Sequence, residues 1–312
     1  MHGILPGQQI SSVNRPWVMW SPMCAIRIFT YQISAGISVG SVRSGDLRGG
    51  AGRLRRGGDA GIRAQVALAK AREVTELCFL SGVNPAFSAE RYAEMIGIAH
   101  EILPEADIHT MSPDEVTWAA TKSGITTAEV IDMARAAGLG TMQGTGGAEI
   151  LVDAVRSRIC PNKTPTAEWV RIIKEAHGMG LKSTATMMYG SLDTADDRAE
   201  HLGGVIRDIQ DETGGFTEFI PLPFIHENTP LHQAGLVTGG SIGREDLLVF
   251  AVSRLFFDNI PHIQISWGAR PVTVWPRWVS WLVAMIWAGR CSPMRSQWRP
   301  VRRQPTISTR LT

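Results

Sequence analysis

Six short apolar or β-branched runs alternate with helical segments through the middle of this chain. They are Glu76–Leu80, Asp107–Met111, Gly140–Gln143, Ser183–Tyr189, Phe216–Phe224 and His262–Trp267. Successive runs start roughly 32 to 45 residues apart, the spacing of βα units that feed a parallel sheet. The segments between them carry helix signals. Ser112-Pro113-Asp114-Glu115 offers an N-cap Ser, Pro at the first helical position and a Glu placed for a capping box. Thr126-Thr127-Ala128-Glu129 is a second capping box, and Thr164-Pro165 opens another helix. Residues 88–103 put Tyr92, Met95, Ile96, Ala99, Ile102 and Leu103 on one helical face. Gly124, Gly138, Gly178 or Gly180, and Gly214 stand where helices should close. An eight-unit barrel takes about 250 residues. Six units in about 205 residues predict the α/β class, as a partial or open (β/α) TIM-like barrel. The first βα unit falls in the N-terminal piece and is expected to be missing or garbled. Function in such folds sits at the C-terminal strand ends.

Charge divides the chain in the same places. Residues 1–63 carry net +6, residues 64–269 net −12 and residues 270–312 net +8, which together make the +2 of the whole. All five Lys (Lys70, Lys122, Lys163, Lys174, Lys182) lie in the middle piece. The expected organisation is therefore a Gly/Arg-rich segment at 1–63, a barrel at 64–269 and a Trp/Arg-rich tail at 270–312. Three readings of the ends compete. Arg interleaved with Trp would suit nucleic acid, but no binding module surrounds it. Trp278–Gly289 is too short to span a bilayer, which needs roughly 20 residues. Arg, Gly, Pro and Trp without Lys also mark a GC-rich gene translated out of frame, and that reading is preferred. No nucleic acid or membrane partner is expected. The start, MHGILPGQQISSVNR, has no secretory pattern, so a cytoplasmic location is expected. Cys24, Cys78, Cys160 and Cys291 are scattered without a CxxC pair, against a disulfide framework or zinc site.

Three strand ends carry candidate chemistry. Thr184–Gly190 brings hydroxyls, two Met and a phenol, with plain core packing the simpler role for one of Met187 and Met188. Gly144-Thr145-Gly146-Gly147-Ala148-Glu149 lets a ligand approach the backbone, yet it is neither a dinucleotide turn nor a P-loop. Gly214–Pro230 runs through a strand into a loop with Glu218, two prolines and His226. A zincin helix at His226-Glu227 is excluded, because Pro230 occupies the place of the second His. His100, His177 and His201 are expected to be solvated helix residues.

The runs GTGGAEIL (144–151), STATMMYGSLDT (183–194), RDIQDETGGFTEFIPLPFIHENTPL (207–231) and IQISW (263–267) resemble a radical S-adenosylmethionine subfamily of deazaflavin and menaquinone biosynthesis. The likeness covers about residues 66–268. Pro221-Leu222-Pro223-Phe224 followed by His226 is most similar to the deazaflavin-pathway 4-hydroxyphenyl transferases. The resemblance implies a (β/α) barrel of the radical SAM type with a 4Fe-4S cluster and S-adenosylmethionine. It implies transfer of the 4-hydroxybenzyl group of tyrosine to 5-amino-6-(D-ribitylamino)uracil, with a companion radical enzyme closing the ring. By position it implies Gly82, Glu149 and Thr186 as cofactor-binding residues, and Tyr189, Glu218, His226 and Trp267 on the substrate side; no catalytic residue is assigned.

One departure matters. The family holds its cluster with Cys-x3-Cys-x2-Cys after the first strand, leaving one iron open. Only Cys24 lies in that part of this chain, so the cluster is not expected to be held and the chain is expected to be inactive as written. The alternatives are a menaquinone-pathway relative (aminofutalosine or dehypoxanthine futalosine type) and a cluster-free nucleoside-binding module.

Overall fold

The computed structural model describes residues 31–32, 58–71, 74–81, 83–144, 150–226, 229–241 and 243–264. In chain order these form β1 (Tyr31–Gln32), α1 (Gly58–Lys70), β2 (Glu76–Leu80), α2 (Ala89–Ile102), β3 (Asp107–Thr110), α3 (Pro113–Ser123), α4 (Thr127–Ala136), β4 (Thr141–Met142), α5 (Asp153–Ile159) and α6 (Thr166–Gly178). There follow β5 (Lys182–Tyr189), α7 (Ala195–Ala199), a π-helical segment (Glu200–Arg207), α8 (Asp208–Thr213), β6 (Phe216–Pro223), α9 (Pro230–Gln233), α10 (Gly243–Phe256) and β7 (His262–Ile263). The strands pair in sequence order, each parallel to the next. Among the described residues no pairing joins β7 to β1, so the sheet is an open barrel. The α/β class and the partial barrel agree with the strand–helix spacing.

Local chemistry explains the elements. Ser112 caps α3 with both halves of a capping box, its hydroxyl accepting from Glu115 N while Glu115 accepts from Ser112 N. Thr126 and Glu129 do the same for α4. Gly124 closes α3 at φ 68, a left-handed conformation that costs glycine little. α2 turns Tyr92, Met95, Ile96 and Ala99 into the core. The α6 face buries Trp169, Ile172, Ile173 and Ala176 against the sheet layer. Parallel strands are covered on both faces, and residues 183–187 of β5 are all buried. Each fully buried large side chain, such as Trp169 or Phe219, contributes roughly 1.5–3 kcal/mol of transfer free energy.

Two features lie upstream of residue 64. Tyr31–Gln32 pairs in parallel with Phe79–Leu80, beside the place of the first unit. α1 begins at Gly58 and buries Ile62, Val66 and Ala69 at helical spacing. The Gly/Arg-rich composition of 40–63 hid this helix, because its apolar stripe straddles the compositional boundary. Among the described residues no helix is long and apolar enough to cross a membrane.

Candidate functional site

The C-terminal ends of β2, β3, β4 and β5 are joined by buried polar groups. At the end of β2, Ser81 N donates to Glu115 Oε1 at 3.0 Å, and the Ser81 hydroxyl also bonds that oxygen. Tyr92 Oη lies 2.5 Å from Ser81 Oγ and 3.5 Å from Glu115 Oε1. The other Glu115 oxygen accepts from Ser112 N and Ser112 Oγ, at 2.8 and 3.0 Å. Burial, then the Glu115 charge, push the Tyr92 hydroxyl pKa far up, so it is a neutral donor. After β4, the Gln143 amide donates to the carbonyls of Phe79 and His109 and to Cys78 Sγ, tying three strands together.

Gly144 follows. Its N–H donates to Thr184 Oγ1 and its carbonyl accepts from Thr186 Oγ1, both at 3.1 Å. A Cβ at Gly144 would run into the Thr184 carbonyl oxygen, so only glycine lets the two backbones approach. Backbone strain gathers at the same edge. Val83, just past β2, has φ 57 and Met111, just past β3, has φ 60. A β-branched residue in that region costs on the order of 1–3 kcal/mol, which the surrounding contacts must offset.

The structure treats the candidate residues differently. Gly82, Glu149 and Trp267 lie outside the described residues. Thr186 is buried, and its two oxygens are engaged by Gly144 and by His201. Tyr189 is fully buried, with its hydroxyl donating to Asp246 Oδ1 at 2.8 Å, an oxygen that also accepts from Ser241 Oγ. The Arg198 guanidinium sits 5.6 Å from its ring centroid. Glu218 is the third residue of β6, paired with Thr184 and His262, not at the C-terminal end of its strand. His226 lies just beyond β6, edge-on to His232 at 5.1 Å between ring centroids. Thr186 and Gly144 are thus brought together, while Tyr189 is directed at α10 and Glu218 toward the opposite rim. Met187 is wholly buried, as one of the two Met was expected to be, and Met188 is half-buried.

That opposite rim holds carboxylates. Glu76 and Asp107 face each other as Cα partners at the starts of β2 and β3. Burial, then the charges of Glu218 and Asp107, raise the Glu76 pKa to about 7, and burial raises that of Glu218 to about 7. The Thr141 hydroxyl donates to Asp107 Oδ2 and so accepts from His109 Nδ1 at 2.7 Å. The N-terminal rim of such a barrel serves stability more than chemistry.

Two expectations are corrected. His201 is completely buried, not solvated: Leu151 N donates to its Nδ1 at 2.9 Å, and its Nε2 lies 3.1 Å from the Thr186 carbonyl. His177 is half-buried between Thr213 Oγ1 and Ser183 Oγ, with its ring against Phe216. The buried stripe Leu202, Val205, Ile206 and Ile209 beside His201 was the available signal. His100 is exposed, as expected.

The thiols do not fit a 4Fe-4S cluster. No two of Cys24, Cys78, Cys160 and Cys291 have the family's spacing. Burial, then Glu76 and Glu115, push the Cys78 thiol up to about 12, and its sulfur accepts from Gln143. The Cys160 thiol is buried and donates to the Arg156 carbonyl. A cluster needs thiolates, and the surroundings of Cys78 favour the protonated form.

No family model matches the chain. Curated relatives do. A protein of Methanoculleus marisnigri is 54% identical over 210 residues, covering 67% of this chain and 57% of that one. One of Methanosphaerula palustris is 53% identical over 206 residues, covering 66% and 56%. One of Methanococcus maripaludis is 39% identical over 249 residues, covering 76% and 69%. The first two are named 5-amino-6-(D-ribitylamino)uracil–L-tyrosine 4-hydroxyphenyl transferase, and the third is transferase 1 of that name. The chain thus spans little more than half the length of the first two. Among solved structures, methylornithine synthase is 17% identical with a TM-score of 0.49, covering 64% of this chain and 53% of that one, too distant to carry an argument. On the strength of the curated relatives, the chain belongs to the 5-amino-6-(D-ribitylamino)uracil–L-tyrosine 4-hydroxyphenyl transferase family.

Proposed function

We propose that this chain carries the ligand-binding part of a 4-hydroxyphenyl transferase barrel and that, as written, it does not perform the transfer. The identity of 54% over 210 residues to a transferase of that name carries the reading. It implies tyrosine and 5-amino-6-(D-ribitylamino)uracil as substrates, S-adenosylmethionine as cofactor and a companion radical enzyme as partner. The names of the relatives favour this over the menaquinone-pathway alternative. Thr186, with Gly144, and Glu149 are read as cofactor-side residues, and His226 and Trp267 as substrate-side residues. Gly82 is read as the methionine-side residue after β2, next to Ser81. Glu218 keeps its substrate-side assignment as part of the same reading, whereas Tyr189, placed on the substrate side by its position in the sequence, is read as structural because its hydroxyl is committed to Asp246. Among the described residues, Cys78 and Cys160 form no disulfide, which suits a reducing, cytoplasmic setting.

The thiols assign no cluster-dependent step to this chain, which also supports the second reading, a nucleoside-binding module without redox chemistry. Calorimetric titration with S-adenosylhomocysteine, tyrosine and the ribitylaminouracil tests the binding part; no binding of any of the three refutes it. Anaerobic reconstitution with iron and sulfide tests the rest. An iron–sulfur chromophore that persists through gel filtration refutes the loss of the cluster.

The segments 1–63, as far as the start of α1 at Gly58, and 270–312 are read as out-of-frame sequence. Translating the gene in its other two frames tests that. A Cys-x3-Cys-x2-Cys continuation upstream supports it, and the lack of any barrel continuation in either frame overturns it.

A further inference from the structure

We infer that His201 is a positioning residue whose imidazole fastens the chain on both sides of residues 145–149 to a single residue of β5, Thr186. At Gly144, the carbonyl accepts from the Thr186 hydroxyl at 3.1 Å. At Leu151, the backbone N donates to His201 Nδ1 at 2.9 Å, and His201 Nε2 donates to the Thr186 carbonyl at 3.1 Å. The two ends therefore converge on the two oxygens of one threonine, one directly and one through the ring.

The geometry selects one form of the ring. A carbonyl only accepts, so Nε2 carries the proton, and a backbone N–H only donates, so Nδ1 is bare. A second proton would face the Leu151 N–H. Burial is the largest influence on the ring and disfavours its charge, and Arg156 adds to this. The Thr186 carbonyl and Asp193 pull the other way and are outweighed, leaving the pKa at about 3. His201 also sits in the π-helical segment Glu200–Arg207, a rare geometry that recurs at functional sites. The role as a support for ligand binding rests on the function proposed above; the clamp itself does not.

The test is hydrogen exchange on the full chain, with His201→Phe and His201→Gln. Phe removes both bonds, whereas Gln carries one acceptor and one donor on a single group. In His201→Phe, exchange at the Leu151 amide and through residues 144–151 rises about tenfold, the loss of one hydrogen bond, while α2 and α4 keep wild-type rates. His201→Gln returns the segment toward wild type. Unchanged exchange in the Phe variant overturns the inference, as does a rise shared equally by α2 and α4, or no recovery with Gln. Nitrogen-15 shifts of the wild-type ring give a measurement that needs no variant. A bare Nδ1 from pH 5 to 8 supports the clamp, and a protonated Nδ1 overturns it. Titration with S-adenosylhomocysteine separates the two readings. A wild-type protein that binds none of S-adenosylhomocysteine, tyrosine and the ribitylaminouracil refutes the function proposed above and leaves the exchange data to judge the clamp. An unchanged affinity in His201→Phe refutes the positioning role.

Discussion

Glu115 Oε1 accepts both the backbone N–H and the hydroxyl of Ser81, although the two residues are 34 apart in sequence. Glu115 is 2% exposed and has five donor groups around it, from Ser81, Ser112 and Tyr92. A carboxylate first read as one half of a capping box therefore also fixes the end of β2, where the chain enters the strained conformation of Val83.

Replacing that carboxylate exposes what it satisfies. Glu115→Ala leaves buried donors without an acceptor, each costing about 1–3 kcal/mol. We expect a loss of roughly 3 kcal/mol or more in urea unfolding. A loss below about 0.5 kcal/mol, the level of an ordinary surface change, would contradict the network.

The carboxylates on the opposite rim set a pH dependence. Glu76 and Glu218 rise from 4.5 unfolded to about 7 folded, so their protonated forms favour folding. That contribution is complete below about pH 4.5 and is lost as pH climbs through about 7. The buried histidines act oppositely. His109 and His177 (each about 4) and His201 (about 3) lose stability only as pH falls below 6.5. The carboxylates therefore act alone above pH 6.5, and unfolding free energy should fall between pH 6.5 and 8. Glu218→Gln should flatten that slope, since it removes one titration and relieves Glu76. Equal slopes in the two proteins would sink the assignment.

Tyr189 separates a structural role from a substrate role. Its hydroxyl is committed to Asp246, so Tyr189→Phe should lower stability by about 1–2 kcal/mol, leaving that carboxylate with Ser241. Affinity for tyrosine, measured by calorimetry, should not change. Weaker tyrosine binding at unchanged stability would restore the substrate assignment.

Cys78 bears on the cluster. With a thiol pushed up to about 12, it should be almost wholly protonated at pH 8 and react slowly with iodoacetamide. In a Cys24→Ser, Cys291→Ser background, native alkylation should be at least about tenfold slower than in urea. Native labelling at the denatured rate would show an accessible thiolate.

The linear order of residues determined a great deal by itself. Parallel strands must be separated by a crossover, so the spacing of the apolar runs was enough to predict a parallel sheet and a partial or open barrel. Capping is a contact between residues three apart, so Ser112 with Glu115 and Thr126 with Glu129 were legible without any fold. The helix at Gly58 was not, because Gly and Arg outweigh its few apolar residues in composition while Ile62, Val66 and Ala69 still align in three dimensions. The residues that depend on distant neighbours were decided only by the tertiary structure. His201 reads as a helix-surface histidine until the π-helical segment turns it between Leu151 and Thr186. Tyr189 and Glu218 lie on adjacent strands, yet the structure directs one to α10 and the other to the carboxylate rim. Which face a strand residue takes follows from register and from the bulge between Ser183 and Thr184. Those are properties of pairing, and no single segment contains them.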